Sequence, residues 1–177
     1  MTVKIEKSNA AGVISAPPSK SAAHRALICG ALSQKSIIEN IEYSNDILAT
    51  LDCLEALGAT VERGVNRVTL GGLNPFLSKN ATLDCRESGS TLRFLIPLCM
   101  LSGEKITLTG SERLYARNLE IYEQIASDND ILFEKGINSL TVCGKLKNGS
   151  YKVAGNIQVS SYQGCFSHCL CFAATAQ

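Results

Sequence analysis

One order of elements, strand, helix, strand, helix, strand, strand, is written twice along this chain, and that duplication restricts its fold more than any other feature. In the first copy, Gly12-Val13-Ile14-Ser15 alternates as a strand, a helix opens near Ser19, and residues 36–41 form a second strand. Ser44-Asn45-Asp46 caps a helix running to Leu57, with Ile47, Leu48, Leu51, Leu54 and Leu57 on one face and Gly58 as its C-cap. Residues 59–63 and 67–70 close the copy as a hairpin about Gly64-Val65-Asn66. The second copy has strands at 81–85 and 105–108, a helix opening at Gly89, and another over residues 119–127. A hairpin of 131–133 with 139–142 completes it, and the stretches beginning at Asn66 and Asn138 mark equivalent places. Two copies of about 70 residues imply stacked α/β units that bury their apolar faces against one another. Tyr151-Lys152-Val153 opens a third, unfinished unit, and residues 2–6 alternate as a further strand.

Each copy begins its first helix with the same chemistry. Pro17-Pro18-Ser19-Lys20-Ser21-Ala22-Ala23-His24-Arg25 leads into an apolar run, and the prolines fit the turn before a helix with Ser19 as N-cap. Lys20, Ser21 and Arg25 then fall on the first two turns, where free N–H groups and the helix dipole favour an anion. Lysine supplies a point charge, serine a short donor, and arginine a planar fork for phosphate or carboxylate. In the second copy, Arg86-Glu87-Ser88-Gly89-Ser90-Thr91-Leu92-Arg93 opens the run 94–101. Gly89, lacking Cβ, lets a ligand approach the backbone, and Pro97 predicts a kinked or shortened helix. A solvated basic helix start at Lys20, and plain capping by Ser90 and Thr91, are the alternative readings.

A chain of 177 residues and 18.9 kDa has room for one domain. Its net charge of +1 argues against a nucleic-acid footprint. No apolar run reaches the ~18 residues of a membrane span, and residues 1–6 are no signal peptide. Cys29, Cys53, Cys85, Cys99 and Cys143 are scattered in apolar or strand-like contexts and read as reduced cytosolic thiols. The expected localisation is therefore cytoplasmic.

Pro-Ser-Lys-Ser-x-x-His-Arg, Glu-Ser-Gly-Ser-Thr-Leu-Arg-Phe and the later Thr109-Gly110-Ser111-Glu112-Arg113-Leu114-Tyr115-Ala116-Arg117, in this order and spacing, resemble the EPSP synthase (3-phosphoshikimate 1-carboxyvinyltransferase) family. The resemblance runs from about Val3 to Ile157. It implies two similar globes, each an inside-out α/β barrel of three repeat units with helices inside and sheets outside, and an active site in the cleft between them. Residues 12–157 would form the first globe with its third unit incomplete, and residues 1–11 would join the absent second globe.

The implied reaction transfers an enolpyruvyl group from phosphoenolpyruvate to the 5-hydroxyl of shikimate 3-phosphate and releases phosphate. It passes through a tetrahedral intermediate and uses no metal or organic cofactor. By resemblance, Lys20, Ser21 and Arg25 hold shikimate 3-phosphate, while Lys20, Gly89, Arg93 and Arg117 serve phosphoenolpyruvate. Arg113 is structural or peripheral. Clustered cations in a closed, dry cleft can neutralise the several negative charges this chemistry brings together. The family enzyme is a monomer with neither nucleic-acid nor membrane partners. This chain alone is expected to be inactive without its second globe. A non-catalytic anion-binding protein or a split-enzyme subunit from the same ancestry is the alternative.

Two departures stand out. Glu87 puts a carboxylate near the anion site and is expected to pair with Arg86 or Arg93. After Ile157 the pattern ends in Gly164-Cys165-Phe166-Ser167-His168-Cys169-Leu170-Cys171, whose spacing suits no dedicated metal site. A family-like continuation after Ile157, Ser-Ser-Gln-Phe-Ile-Ser-Gly-Leu-Leu-Phe-Ala-Leu-Pro-Leu-Leu, can be written in codons that, with one base deleted, encode Ile157 through Cys171 without mismatch. Residues 158–177 are therefore expected to be a frameshifted tail, and the displaced Ser160-Ser161-Tyr162-Gln163 carries no substrate role.

Overall fold

A computed structural model describes residues 3–4, 11–149 and 151. Most of the strand expected over residues 2–6, the continuation at Lys152 and Val153, and the whole of residues 158–177 lie outside the described residues.

Three long helices share one starting device. In α1 (Lys20–Leu32), α2 (Asn45–Ala56) and α3 (Gly89–Ser102) a serine at the N-cap accepts from the backbone N–H three residues on. Ser19 takes Ala22 at 3.3 Å, Ser44 takes Ile47 at 3.4 Å, and Ser88 takes Thr91 at 3.2 Å. The cap of α3 is thus Ser88, and Ser90 and Thr91 lie inside its first turn.

The strands form two sheets. The first joins β1 (Ser36–Glu39), β2 (Thr60–Gly64) and β3 (Arg67–Gly71) in the order β1-β3-β2, all antiparallel. The second joins β4 (Ala81–Asp84), β5 (Ile106–Thr109), β6 (Leu132–Lys135) and β7 (Ser139–Cys143) in the order β4-β5-β7-β6. Only β4 and β5 run parallel, linked by the crossover through α3. Superimposing the two orders leaves a position beside β1 for a strand equivalent to β4. Residues 12–15, expected there, form no strand. Val13 and Ile14 are fully exposed, whereas Leu83 of β4 is buried, so ordering this segment is offset by no apolar burial.

The sheets lie outside and the helices inside. Val68 and Leu70 of β3, Ile106 and Leu108 of β5, and Leu140 and Val142 of β7 turn one apolar face inward. Helix α3 is buried on nearly every side, as a central helix must be. It also continues through Pro97 to Ser102, so the shortening expected of that residue does not occur. Proline removes the N–H that would bond the carbonyl of Arg93, and the Tyr122 hydroxyl donates to that carbonyl instead, at 3.1 Å. Tyr122 belongs to α5 (Glu120–Asp128), an amphipathic helix preceded by the short α4 (Glu112–Tyr115), which periodicity did not reveal.

Candidate active site

The first turns of α1, α2 and α3 are tied together at Asp46. Its carboxylate receives the Lys20 ammonium at 2.6 Å, joining α1 to α2. Its backbone carbonyl accepts from the Thr50 hydroxyl at 3.1 Å and lies 3.4 Å from the Thr91 hydroxyl of α3. The two threonine hydroxyls are 2.7 Å apart, and Thr91 also donates to the capping oxygen of Ser88 at 2.7 Å. Buried His24 completes the set, with Nδ1 2.8 Å from the Thr50 hydroxyl. Which of the two donates in this contact depends on the imidazole tautomer. Burial holds the His24 imidazole down at about 4, with Asp46 opposing and Lys20 adding to the shift, so the ring is neutral at pH 7.

Gly89, the first residue of α3, lies under the guanidinium of Arg117. A Cβ built on Gly89 would stand 2.0 Å from Arg117 Nη1, so glycine is required for this approach. Arg117 follows α4, whose cap Ser111 donates its N–H to the Arg86 carbonyl at 2.8 Å. Gly110 admits that carbonyl, since a Cβ there would lie 2.5 Å from it. Among the described residues no carboxylate pairs with Arg117. A cation stacked on a helix N-terminus makes a strongly anion-favouring point.

The expected site residues therefore divide. Lys20 and Gly89 stand at helix starts locked to one another through Asp46 and Thr91, and Arg117, past the end of α4, brings its guanidinium to Gly89. Ser21 is exposed on α1, and Arg25 turns one arm back to the Ser21 carbonyl at 3.0 Å. Arg93 is half-buried on the second turn of α3, and Arg113 is exposed on α4. A cavity of about 110 Å³ opens beside Lys20, between Pro18, Ser19, Glu42 and Ser44.

Glu87 does not behave as expected. It is exposed and pairs with neither Arg86 nor Arg93. Arg86 instead reaches Asp52 Oδ2 at 2.6 Å and the Asn45 carbonyl at 3.3 Å, because its backbone turns the guanidinium toward α2. Asp46, Thr50, Thr91 and Arg86 were not singled out as site residues from sequence. Asp46 was visible only as a capping residue, and the others meet across more than thirty residues of chain.

Two sheets around buried helices whose N-termini meet at a cationic point define an inside-out α/β domain of the enolpyruvyl-transferase type. Two solved structures of EPSP synthase from Acinetobacter baumannii share the fold, with TM-scores of 0.74 and 0.73 at 22% and 23% identity. They match 87% and 86% of this chain, and 37% of each of those chains. A profile of the family EPSP synthase (3-phosphoshikimate 1-carboxyvinyltransferase) matches residues 5–176, and the chain belongs to that family. The 3-phosphoshikimate 1-carboxyvinyltransferase of Clostridium kluyveri is 43% identical over 158 residues, covering 88% of this chain. That of Clostridium perfringens strain SM101 is 39% identical over 166 residues, covering 92%. This chain spans only 37% and 39% of the lengths of those two relatives.

Proposed function

We propose that the chain supplies one side of the active site that transfers the enolpyruvyl group of phosphoenolpyruvate to the 5-hydroxyl of shikimate 3-phosphate. In this reading Lys20, Ser21 and Arg25 receive shikimate 3-phosphate, and Lys20, Gly89, Arg93 and Arg117 receive phosphoenolpyruvate. Residues 12–157 are the first globe and residues 1–11 join the second, which supplies the remaining catalytic groups. The observation that carries the reading is the Arg117 guanidinium seated on the Gly89 start of α3. A carboxylate or phosphate placed there meets backbone N–H groups, the helix dipole and a bidentate donor together. Lys20, poised on Asp46, adds a second cation that can turn from its carboxylate to a bound anion. No step needs a metal, because the developing charge is met by fixed cations and amides. Among the described residues, Cys53, Cys85 and Cys143 form no disulfide, in keeping with a cytoplasmic setting.

Titration of the isotope-labelled chain with phosphoenolpyruvate and with shikimate 3-phosphate tests this reading by NMR. The amides of Lys20, Ser21, Gly89 and Arg117 should move first and saturate. Absence of any response at tens of millimolar ligand, or a response confined to the outer sheet faces, would sink it.

A further inference from the structure

Arg86 occupies a backbone conformation that its side chain does not favour. Its φ is +52°, and the other described non-glycine residues at positive φ are Asn40, Asn66 and Asp130, types that tolerate the left-handed region. We infer that Arg86 is a positioning residue, setting the spacing between the Lys20–Asp46 pair and the Gly89–Arg117 pair; this rests on the function proposed above.

The geometry supports the role from both sides of the site. The left-handed turn is braced by the Arg86 N–H donating to Asp84 Oδ1 at 2.9 Å. The Arg86 carbonyl then points at Ser111 N, 2.8 Å away, and so fixes the start of the segment that delivers Arg117. The guanidinium points the other way, to Asp52 at 2.6 Å and to the carbonyl of Asn45, the residue before Asp46. One residue thus joins the strand-to-helix turn leading to Gly89, the turn leading to Arg117, and the helix start that holds Lys20.

Stability does not account for this arrangement. Arg86 and Asp52 side chains are 38% and 44% exposed, and Asp52 is shared with Arg63, so the ion pair is screened and contributes little. The positive φ opposes folding, and glycine would relieve it. A strained residue with weak stabilising contacts at the edge of a candidate site is better explained by what it aligns.

Arg86→Gly separates alignment from stability. The variant should melt within about 3 °C of the parent, yet bind phosphoenolpyruvate at least tenfold more weakly by NMR titration. Asp52→Asn loosens the same guanidinium from a distance. It should move the Gly89 amide and the Arg117 Nε–H signals in the ligand-free chain and weaken binding in the same direction. Phosphoenolpyruvate affinity within twofold of the parent in both variants would overturn the inference. If Arg86→Gly does not fold, Asp52→Asn decides by the same readouts. If the parent binds no phosphoenolpyruvate, the proposed function fails, and the ligand-free signals in Asp52→Asn alone decide. Signals of Gly89 and Arg117 left in place by that change would dismiss Arg86 as a positioning residue.

Discussion

The hydroxyl of Tyr122 donates to the backbone carbonyl of Arg93 at 3.1 Å, occupying the acceptor that Pro97, four residues on, cannot use. A central helix therefore carries a proline without breaking, because another helix supplies the missing donor. Tyr122→Phe should leave that carbonyl unsatisfied in a dry environment, at about 1–3 kcal/mol. Restoring the helical donor with Pro97→Ala should shrink the effect of Tyr122→Phe. Thermal melts of the two single variants and the double variant measure this coupling, and strict additivity would refute it.

Gly89→Ala should separate binding from folding. Gly89 is not among the glycines at positive φ, so an alanine backbone fits the start of α3. Its methyl would meet Arg117 Nη1, which must swing aside. The melting temperature should hold or rise slightly, while phosphoenolpyruvate affinity falls at least tenfold. Unchanged affinity would show that the Arg117 position over Gly89 is irrelevant to binding.

Acid should destabilise the fold through His24. Its pKa is about 4 in the folded chain, against an ordinary value of 6.5. The folded state thus binds fewer protons, so this contribution is complete above pH 6.5 and is lost as pH falls toward 4. The shift corresponds to about 3 kcal/mol. Urea unfolding between pH 7 and pH 4 should show this slope, and His24→Asn should flatten it. An equal slope in the variant would assign the acid sensitivity elsewhere.

The expectation that residues 158–177 are a frameshifted tail is a statement about DNA. With one base restored after the codon for Ile157, the locus should encode Ser-Ser-Gln followed by an apolar helix. A locus that encodes no such continuation in the restored frame would end that reading.

What the sequence disclosed is local. The caps Ser19 and Ser44, the apolar face of α2 and both hairpins follow from patterns within a dozen residues. So did the anion-favouring helix starts at Lys20 and Gly89, although their residue-by-residue roles came by resemblance. What stayed hidden depends on distant partners. Pro97 reads as a helix breaker until Tyr122 is placed beside Arg93. Arg86 reads as a partner for its neighbour Glu87 until Asp52 approaches from α2. Gly12-Val13-Ile14-Ser15 has the alternation of a strand, yet pairing and burial are tertiary matters that alternation alone does not secure.

The central claim is that Lys20 and Arg117 belong to one substrate-anion surface. It is tested most directly by grafting residues 12–149 of this chain onto the rest of the Clostridium kluyveri relative and measuring kcat/KM for phosphoenolpyruvate with shikimate 3-phosphate as co-substrate. An active graft should lose about 2–4 kcal/mol of transition-state stabilisation with either Lys20→Ala or Arg117→Ala. Activity within twofold of the unmodified graft after either change would contradict the account.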